Sequence, residues 1–543
     1  MVSNRFFSNI KSANSKNILV NRPQDLDQLF SQGLNFHKQG NLQKAKEIYQ
    51  RVLVLNSKHF DALHLTGVIF AQTGAPEQAF EMITRAIKIN PNYPSAYYNR
   101  GFSLLTLKRF EEAVVNYDRA IALNPQYAEA YCNRAIALNE LKRIKEAVLS
   151  CEHAITINPE YADAHYNLGV ALQQLDRIDE AIISFDRAIS LKPDHINAYS
   201  NRGAAFQALK NLPEALRSYE NAINIDPTDA YAQWNKAIAS LLVGDFKNGW
   251  SLYEWRWKNN KSGLTIRNFE KPLWHGDEDL SGATILIYSE QGLGDSIQFS
   301  RYCEFVKNKG ARVILEVQSP LAGLMHDLTG VDTIIKSGEE LPPFDYHCPL
   351  LSLPLAFNTD LDSIPAKQKY LSCSADKREF WSERLGHRNL PRVGLVWSGS
   401  RGHTNDHNRS IRLAEMLEYL PHGFEYISLQ IEAREADKDC LVKSNVKQYG
   451  DEIIDFSDTA ALCELMDLII CVDTSVAHLA GALGKKTWLI LPYVPDWRWM
   501  LEGDTSPWYD SMRLYRQASD KKYSTVLDRI SNDMQFLDYK NSQ

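Results

Sequence analysis

Five prolines of this 543-residue chain, Pro91, Pro125, Pro159, Pro193 and Pro227, stand 34 residues apart each time. A single closed core does not impose so strict a period. It arises when one supersecondary unit is copied and each copy buries its apolar face on the next. The same register holds inside the units. Twelve residues before each proline is an alanine (Ala79, Ala113, Ala147, Ala181, Ala215), and five before it another (Ala86, Ala120, Ala154, Ala188, Ala222). Twenty-four before stands Gly67, Gly101, Ala135, Gly169 or Gly203, and eight before an aromatic recurs as Tyr117, Phe185 and Tyr219. One further unit upstream keeps Gly33, Ala45 and Tyr49, with Ser57 at the proline place. Small residues let two helices cross closely, the aromatic is expected to fill the gap between units, and proline ends the second helix.

This pattern resembles the tetratricopeptide repeat. The resemblance implies an α-solenoid over residues 26–262, after a tail at 1–25, with units at 26–59, 60–93, 94–127, 128–161, 162–195 and 196–229. A seventh unit begins near residue 230 with Trp234 and Ala237 and decays into Gly249, Trp250, Tyr253, Trp255 and Trp257, which read as a cap packed on the next domain. Such arrays bind partners on a concave face and carry no chemistry of their own. A second 34-residue register marks that face: Asn99, Asn133, Asn167, Asn201 and Asn235. Helix packing does not require asparagine there, and an amide can pair with the backbone of an extended peptide whatever its sequence. Protein O-GlcNAc transferases have a similar asparagine ladder. The five residues read as peptide-binding or, alternatively, as solvated or helix-to-helix amides.

Bulk properties narrow the classes. Net charge is −7, so no basic field draws the chain to nucleic acid or an anionic membrane. Eight cysteines are scattered without a Cys-x-x-Cys pair, as in a reducing, cytoplasmic setting. No apolar run approaches the ~18 residues of a membrane span. The first 24 residues carry Arg5, Lys11, Lys16 and Arg22 but no acid, and read as a frayed tail or a targeting peptide.

After a turn-rich linker at 263–282 the pattern changes to short apolar strands alternating with helices. Strands are expected at Thr284–Ser289, Arg312–Val317, Thr333–Lys336, Val393–Trp397, Glu425–Leu429, Leu468–Val472 and Thr487–Leu491. This alternation implies parallel sheets in two Rossmann-like lobes, 283–385 and 386–543, with ligands beyond the strands' carboxyl ends. Two loops at such ends hold the chemical signals. Glu290-Gln-Gly-Leu-Gly-Asp295 offers Gly292 and Gly294 for a tight turn and close approach of a ligand, with Asp295 opening the next helix. Asp473-Thr-Ser-Val-Ala-His478 offers Thr474 or Ser475 as helix cap and a helix start suited to phosphate. Each also has a plain reading: a turn with a capping Asp295, an ordinary cap at Asp473–Ser475, a core histidine at His478.

Together the two loops resemble those of GT-B glycosyltransferases, in particular the heptosyltransferase-like branch, over roughly residues 283–500. That resemblance implies Asp295 as catalytic base and Asp473, Thr474, Ser475 and His478 as holders of a nucleotide sugar. The family's phosphate-binding lysine has no counterpart, and the first lobe is short. The loop Ser398–Ser410 occupies the lysine's place, with Arg409, or Arg401, as the candidate cation; Ser398 and Gln430 are further donor-binding candidates. No metal and no cofactor is expected, the nucleotide sugar being a substrate; the Asp360-Leu-Asp362 string recurs as Asp25-Leu-Asp27 and means little. The layout is similar to that of protein O-GlcNAc transferase. The expected activity is transfer of a sugar to an acceptor, with the repeats recruiting a protein. The rivals are a lipid-linked or polysaccharide acceptor, with the repeats as docking module, and a non-catalytic scaffold.

Overall fold

The computed structural model describes residues 23–259, 263–365, 369–403 and 405–536. The tail-or-targeting reading falls on residues 1–22, which lie outside the described residues. The described chain divides into two compact units, 1–198 and 199–543.

The first unit is helical. Its pairs are Pro23–Lys38 with Leu42–Leu55, Phe60–Gln72 with Pro76–Ile89, Pro94–Thr106 with Phe110–Leu123, Ala128–Glu140 with Ile144–Ile157, and Ala162–Gln174 with Ile178–Leu191. The prolines stand where expected, two residues beyond the last helical residue: between them the N–H groups of Asn90, Asn124, Asn158 and Lys192 close the last turn on Ala86, Ala120, Ala154 and Ala188. The aromatic does not lie between units, as the spacing suggests. It fills the crossing of the two helices within one unit. A methyl built on Gly33, Gly101 or Gly169 would lie 2.7, 2.8 or 2.5 Å from the ring of Tyr49, Tyr117 or Phe185. In the fourth unit Cys151 takes the ring's place and Ala135 the glycine's, both with no exposure. The crossing volume is thus held by trading a large–none pair for a small–small one.

The second unit takes most of helix Ile196–Ala208 and the remaining repeat helices, Leu212–Ile225, Ala230–Leu242 and Phe246–Tyr253, then a 3-10 turn at Glu254–Trp257. Nine strands come after it among the described residues: β1 (Thr284–Tyr288), β2 (Arg312–Val317), β3 (Thr333–Lys336), β4 (Tyr346–Pro349), β5 (Arg392–Val396), β6 (Glu425–Ser428), β7 (Leu468–Val472), β8 (Thr487–Leu491) and β9 (Met512–Arg516). They form two all-parallel sheets, in the orders β3-β2-β1-β4 and β6-β5-β7-β8-β9. Every residue of β5, β7 and β8 is buried, as strands covered on both faces must be.

A lobe boundary at 385 puts helix Ala375–Leu385 in the first lobe. The helix packs instead on helix Phe456–Glu464, which leads into β7. Asp458 on that helix is the anchor: it accepts from the fully buried Trp381 Nε1 at 3.0 Å and pairs with Lys377 at 2.6 Å. Just before, the N–H groups of Tyr370 and Leu371 both donate to Ala482 O. The chain therefore changes lobes ahead of residue 370. The predicted cap is present: one continuous core joins Trp250 and Tyr253 of the last repeat to Trp497, Trp508, Phe299 and the inner faces of both sheets. Trp250 Nε1 donates to Thr359 O at 2.9 Å.

Candidate functional site

β1 and β7 end on the same side of the second unit, and the helices that come after them, Leu293–Phe299 and Ser475–Ala482, meet. Their contact explains one glycine. A methyl on Gly294 would lie 2.8 Å from His478 Cδ2 and 3.4 Å from Ser475 Cα. Neither Gly292 nor Gly294 has a positive φ among the described residues. The first loop needs glycine at 294 for protein packing rather than for the tight turn or ligand approach expected, because the second lobe occupies the space a side chain would take.

Asp295 sits at the third position of its helix. Its Oδ2 accepts from Gly292 N at 2.8 Å, the cap that the plain reading anticipates. Its Oδ1 is paired with Arg498 Nη2. Arg498 is buried and held further by Gln298 Oε1 at 2.7 Å and Asp496 Oδ1 at 2.8 Å. Asp496, Arg498 and Trp499 were not singled out from the sequence. The available signal was the Asp496-Trp-Arg-Trp499 string in the loop after the strand Thr487–Leu491, since charged and aromatic residues beyond a parallel strand's carboxyl end are placed for ligands.

Asp473 is half-buried at the end of β7. Burial, with the Asp496 carboxylate nearby, raises its pKa; Arg409 opposes this. Arg409 reaches over from the loop after β5, donates to Asp473 O at 2.9 Å and lies flat on Gly399, where a methyl would meet its guanidinium at 2.7 Å. Its Nε is buried without a hydrogen-bond partner, 4.0 Å from Asp406 Oδ1. Thr474 is the N-cap residue of helix Ser475–Ala482, yet its side chain makes no capping bond and its hydroxyl is buried and unpartnered. The start of this helix therefore keeps donor groups that no side chain among the described residues satisfies.

His478 behaves largely as a core histidine. It is buried, stacked on Trp499 with centroids 5.2 Å apart, and shares its Nδ1 with Tyr509 OH at 3.0 Å. Burial first, then the cations Arg498, Arg301 and Arg409, push its pKa well below the usual 6.5, so the ring is neutral. Gln430 is engaged in shaping the backbone. Its Oε1 accepts from Trp397 N and Ser398 N at 2.7 and 3.0 Å, and its Nε2 donates to Ser398 Oγ and Glu432 O at 3.0 and 3.2 Å. Ser398 is buried in that same set of bonds. Arg434 and Asp406 complete the brace, paired at 2.6 Å, with Arg434 also donating to Gly399 O.

The asparagine register resolves differently from the peptide-facing arrangement. Asn99 Nδ2 lies 3.0 Å from His64 Nε2, and Asn133 and Asn167 donate to Tyr98 OH and Cys132 Sγ, both at 3.1 Å. Each partner is 35 residues earlier, on the first helix of the preceding repeat. The amide donors thus knit neighbouring repeats together. In the second unit Asn201 also has a partner, while Asn235 Nδ2 is buried without one.

Tetratricopeptide-repeat family profiles match residues 30–94, 82–115, 103–142, 137–176, 162–195 and 196–229, so this stretch is an array of such repeats. Over 327 residues, 55% of this chain, the sequence is 26% identical to protein FlbA of Caulobacter vibrioides. The match takes in 54% of that protein, so the chain spans about half the length of the curated relative it matches. Among solved structures, MamA is 25% identical with a TM-score of 0.28, covering 30% of this chain and 94% of its own. A thermophilic repeat protein of Thermus thermophilus is 26% identical with a TM-score of 0.31, covering 34% of this chain and all, 100%, of its own. No helix among the described residues is long and apolar enough to cross a membrane.

Proposed function

We propose that the α/β half is a glycosyltransferase that binds a nucleotide sugar between its two sheets, and that the repeats bring it a protein acceptor or partner. The observation that carries the reading is the meeting of the β1 and β7 ends, which gathers Asp295, Asp473, Arg409, Asp496 and Arg498 around one place. The unsatisfied start of helix Ser475–Ala482 and the guanidinium of Arg409 suit a diphosphate. Asp295 Oδ1 and Oδ2 each have a second lone pair beyond the bonds to Arg498 and Gly292. One of these takes the proton of an acceptor hydroxyl as that oxygen attacks the sugar carbon and the nucleoside diphosphate leaves. The negative charge growing on the leaving phosphate is met by Arg409 and the helix N–H groups. Ser398 and Gln430 shape the loop that presents Arg409, and His478 supports the Asp295 loop from below.

The experiment is calorimetric titration of UDP, GDP and ADP into the intact chain in EDTA, followed by incubation with the matching nucleotide sugars. Binding of one nucleotide and its release from the sugar is the expected result. A folded protein that binds none of the three would remove the transferase reading and leave a repeat scaffold.

A further inference from the structure

The last repeat does more than cover the α/β half. Arg256, in the turn after helix Phe246–Tyr253, has no exposure at all. Its Nε and Nη2 donate to Glu290 Oε1 at 3.2 and 2.8 Å, its Nη1 to Glu254 Oε1 at 2.6 Å, and its Nη2 to Ser352 Oγ at 2.7 Å. Glu290 is the first residue of the loop that ends in Asp295. The next residue, Gln291, is held from the same repeat: its Nε2 donates to Tyr253 OH at 3.2 Å. On the other side Gln318 Nε2 donates to Gln291 O at 2.8 Å.

A buried ion pair gains little stability over apolar side chains of the same volume. This one also leaves Glu290 Oε2 buried without a partner. Its distinctive property is geometric: two donors of one planar guanidinium converge on a single oxygen, Glu290 Oε1, and so fix where that oxygen sits. The same repeat backs the other half of the Asp295–Arg498 pair. Trp250 stands edge-on to Trp497 at 5.2 Å, and Arg498 lies over Trp497 at 4.3 Å. We propose that Arg256 is a positioning residue for the loop carrying Asp295, so that the last repeat completes the catalytic site rather than being appended to it. Its catalytic half rests on the transferase reading above; its mechanical half does not.

The test uses the intact chain with three variants: R256M/E290Q, which removes both charges and so strands neither, R256M, and R256K. Three quantities are measured: deuterium exchange of the amides at 290–296, nucleotide affinity, and kcat against KM for nucleotide release. In R256M/E290Q, exchange at 290–296 should accelerate by about tenfold while β7 and β8 stay protected. Its kcat should fall by roughly 10²-fold, as for a reacting group displaced by an ångström, with nucleotide affinity and KM essentially unchanged. R256M should lose at least as much, and R256K should fall between. Wild-type protection at 290–296, or wild-type kcat, in the double variant overturns the proposal. Should that variant not fold, R256K carries the same comparison, because it keeps the charge and loses the fork. If the wild type releases nucleotide from no donor, the transferase reading fails on its own account, and the exchange data still decide whether Arg256 holds the loop.

Discussion

Asp295 divides its two oxygens between a helix cap and an arginine, and the two duties separate under substitution. In Asp295→Asn the amide oxygen still accepts from Gly292 N, so the helix start survives, but the charge facing Arg498 and the basic oxygen are gone. Turnover should fall by about 10²–10⁴-fold with nucleotide affinity retained. A variant with wild-type turnover and intact binding would reduce Asp295 to its cap. Glu290 gives a pH signature of its own. Burial raises its pKa from the ordinary 4.5 to about 7, against the pull of Arg256. Between those two pH values the folded chain holds a proton that the unfolded chain has released, so stability falls as pH rises through the window. Glu290→Gln lacks that proton. Its melting temperature, followed by tryptophan fluorescence, should therefore drop less between pH 5 and pH 7.5 than the wild type's. An equal drop in the two proteins would show that Glu290 is not the group responsible.

At the scale of elements, the repeats show one feature that the proline register conceals. The turn between the two helices of each unit passes through a left-handed residue at a fixed place: Gly40, Gly74, Lys108, Lys142, Asp176, Lys210 and Gly244, with φ of 75, 74, 58, 60, 58, 59 and 85°. Glycine is the unstrained choice, and four units do without it, which is why no glycine period marks the turn. The asparagines are likewise part of the array's construction. Each donated amide bond is worth about 0.5–1.5 kcal/mol net, so replacing Asn99, Asn133 and Asn167 together by alanine should cost the array a few kcal/mol. Circular dichroism should show a lower melting transition for the repeats. Tryptophan fluorescence should not move, since all 11 tryptophans lie beyond residue 198. An unchanged helix transition would mean that these amides do not hold repeat to repeat. Among the strands, the seven expected from apolar runs are present within a residue at each end. β4 and β9 were missed because their sequences, Tyr-His-Cys-Pro and Met-Arg-Leu-Tyr-Arg, lack such a run. Both lie at the edge of a sheet, where burial demands less of them.

For the whole molecule, the last repeats and the α/β half share one core, so a cut at the apparent linker should fail. Residues 263–543 expressed alone would expose Phe299, Trp497 and Trp508 and strip Glu290 of Arg256. That chain should be insoluble or melt without cooperativity, whereas 199–543 should give a single sharp fluorescence transition. Equal melting of the two would make the repeats an appendage. The sequence by itself determined the repeat array, the lobes' parallel β-α alternation and the two loops that meet. Those features rest on local periodicity: small residues where helices cross, apolar runs where strands are covered on both faces, glycine and acid at strand ends. Only the tertiary structure decided who the partners are. It turned the asparagines toward the preceding repeat, spent Gln430 on the backbone after β5, buried His478 beneath Gly294, moved helix Ala375–Leu385 to the second lobe, and brought Arg498 and Arg256 to the Asp295 loop from 203 residues ahead of it and, for Glu290, 34 behind. Pairing of polar groups depends on which surfaces meet after folding, and neither spacing nor composition records a meeting between residues so far apart in the chain.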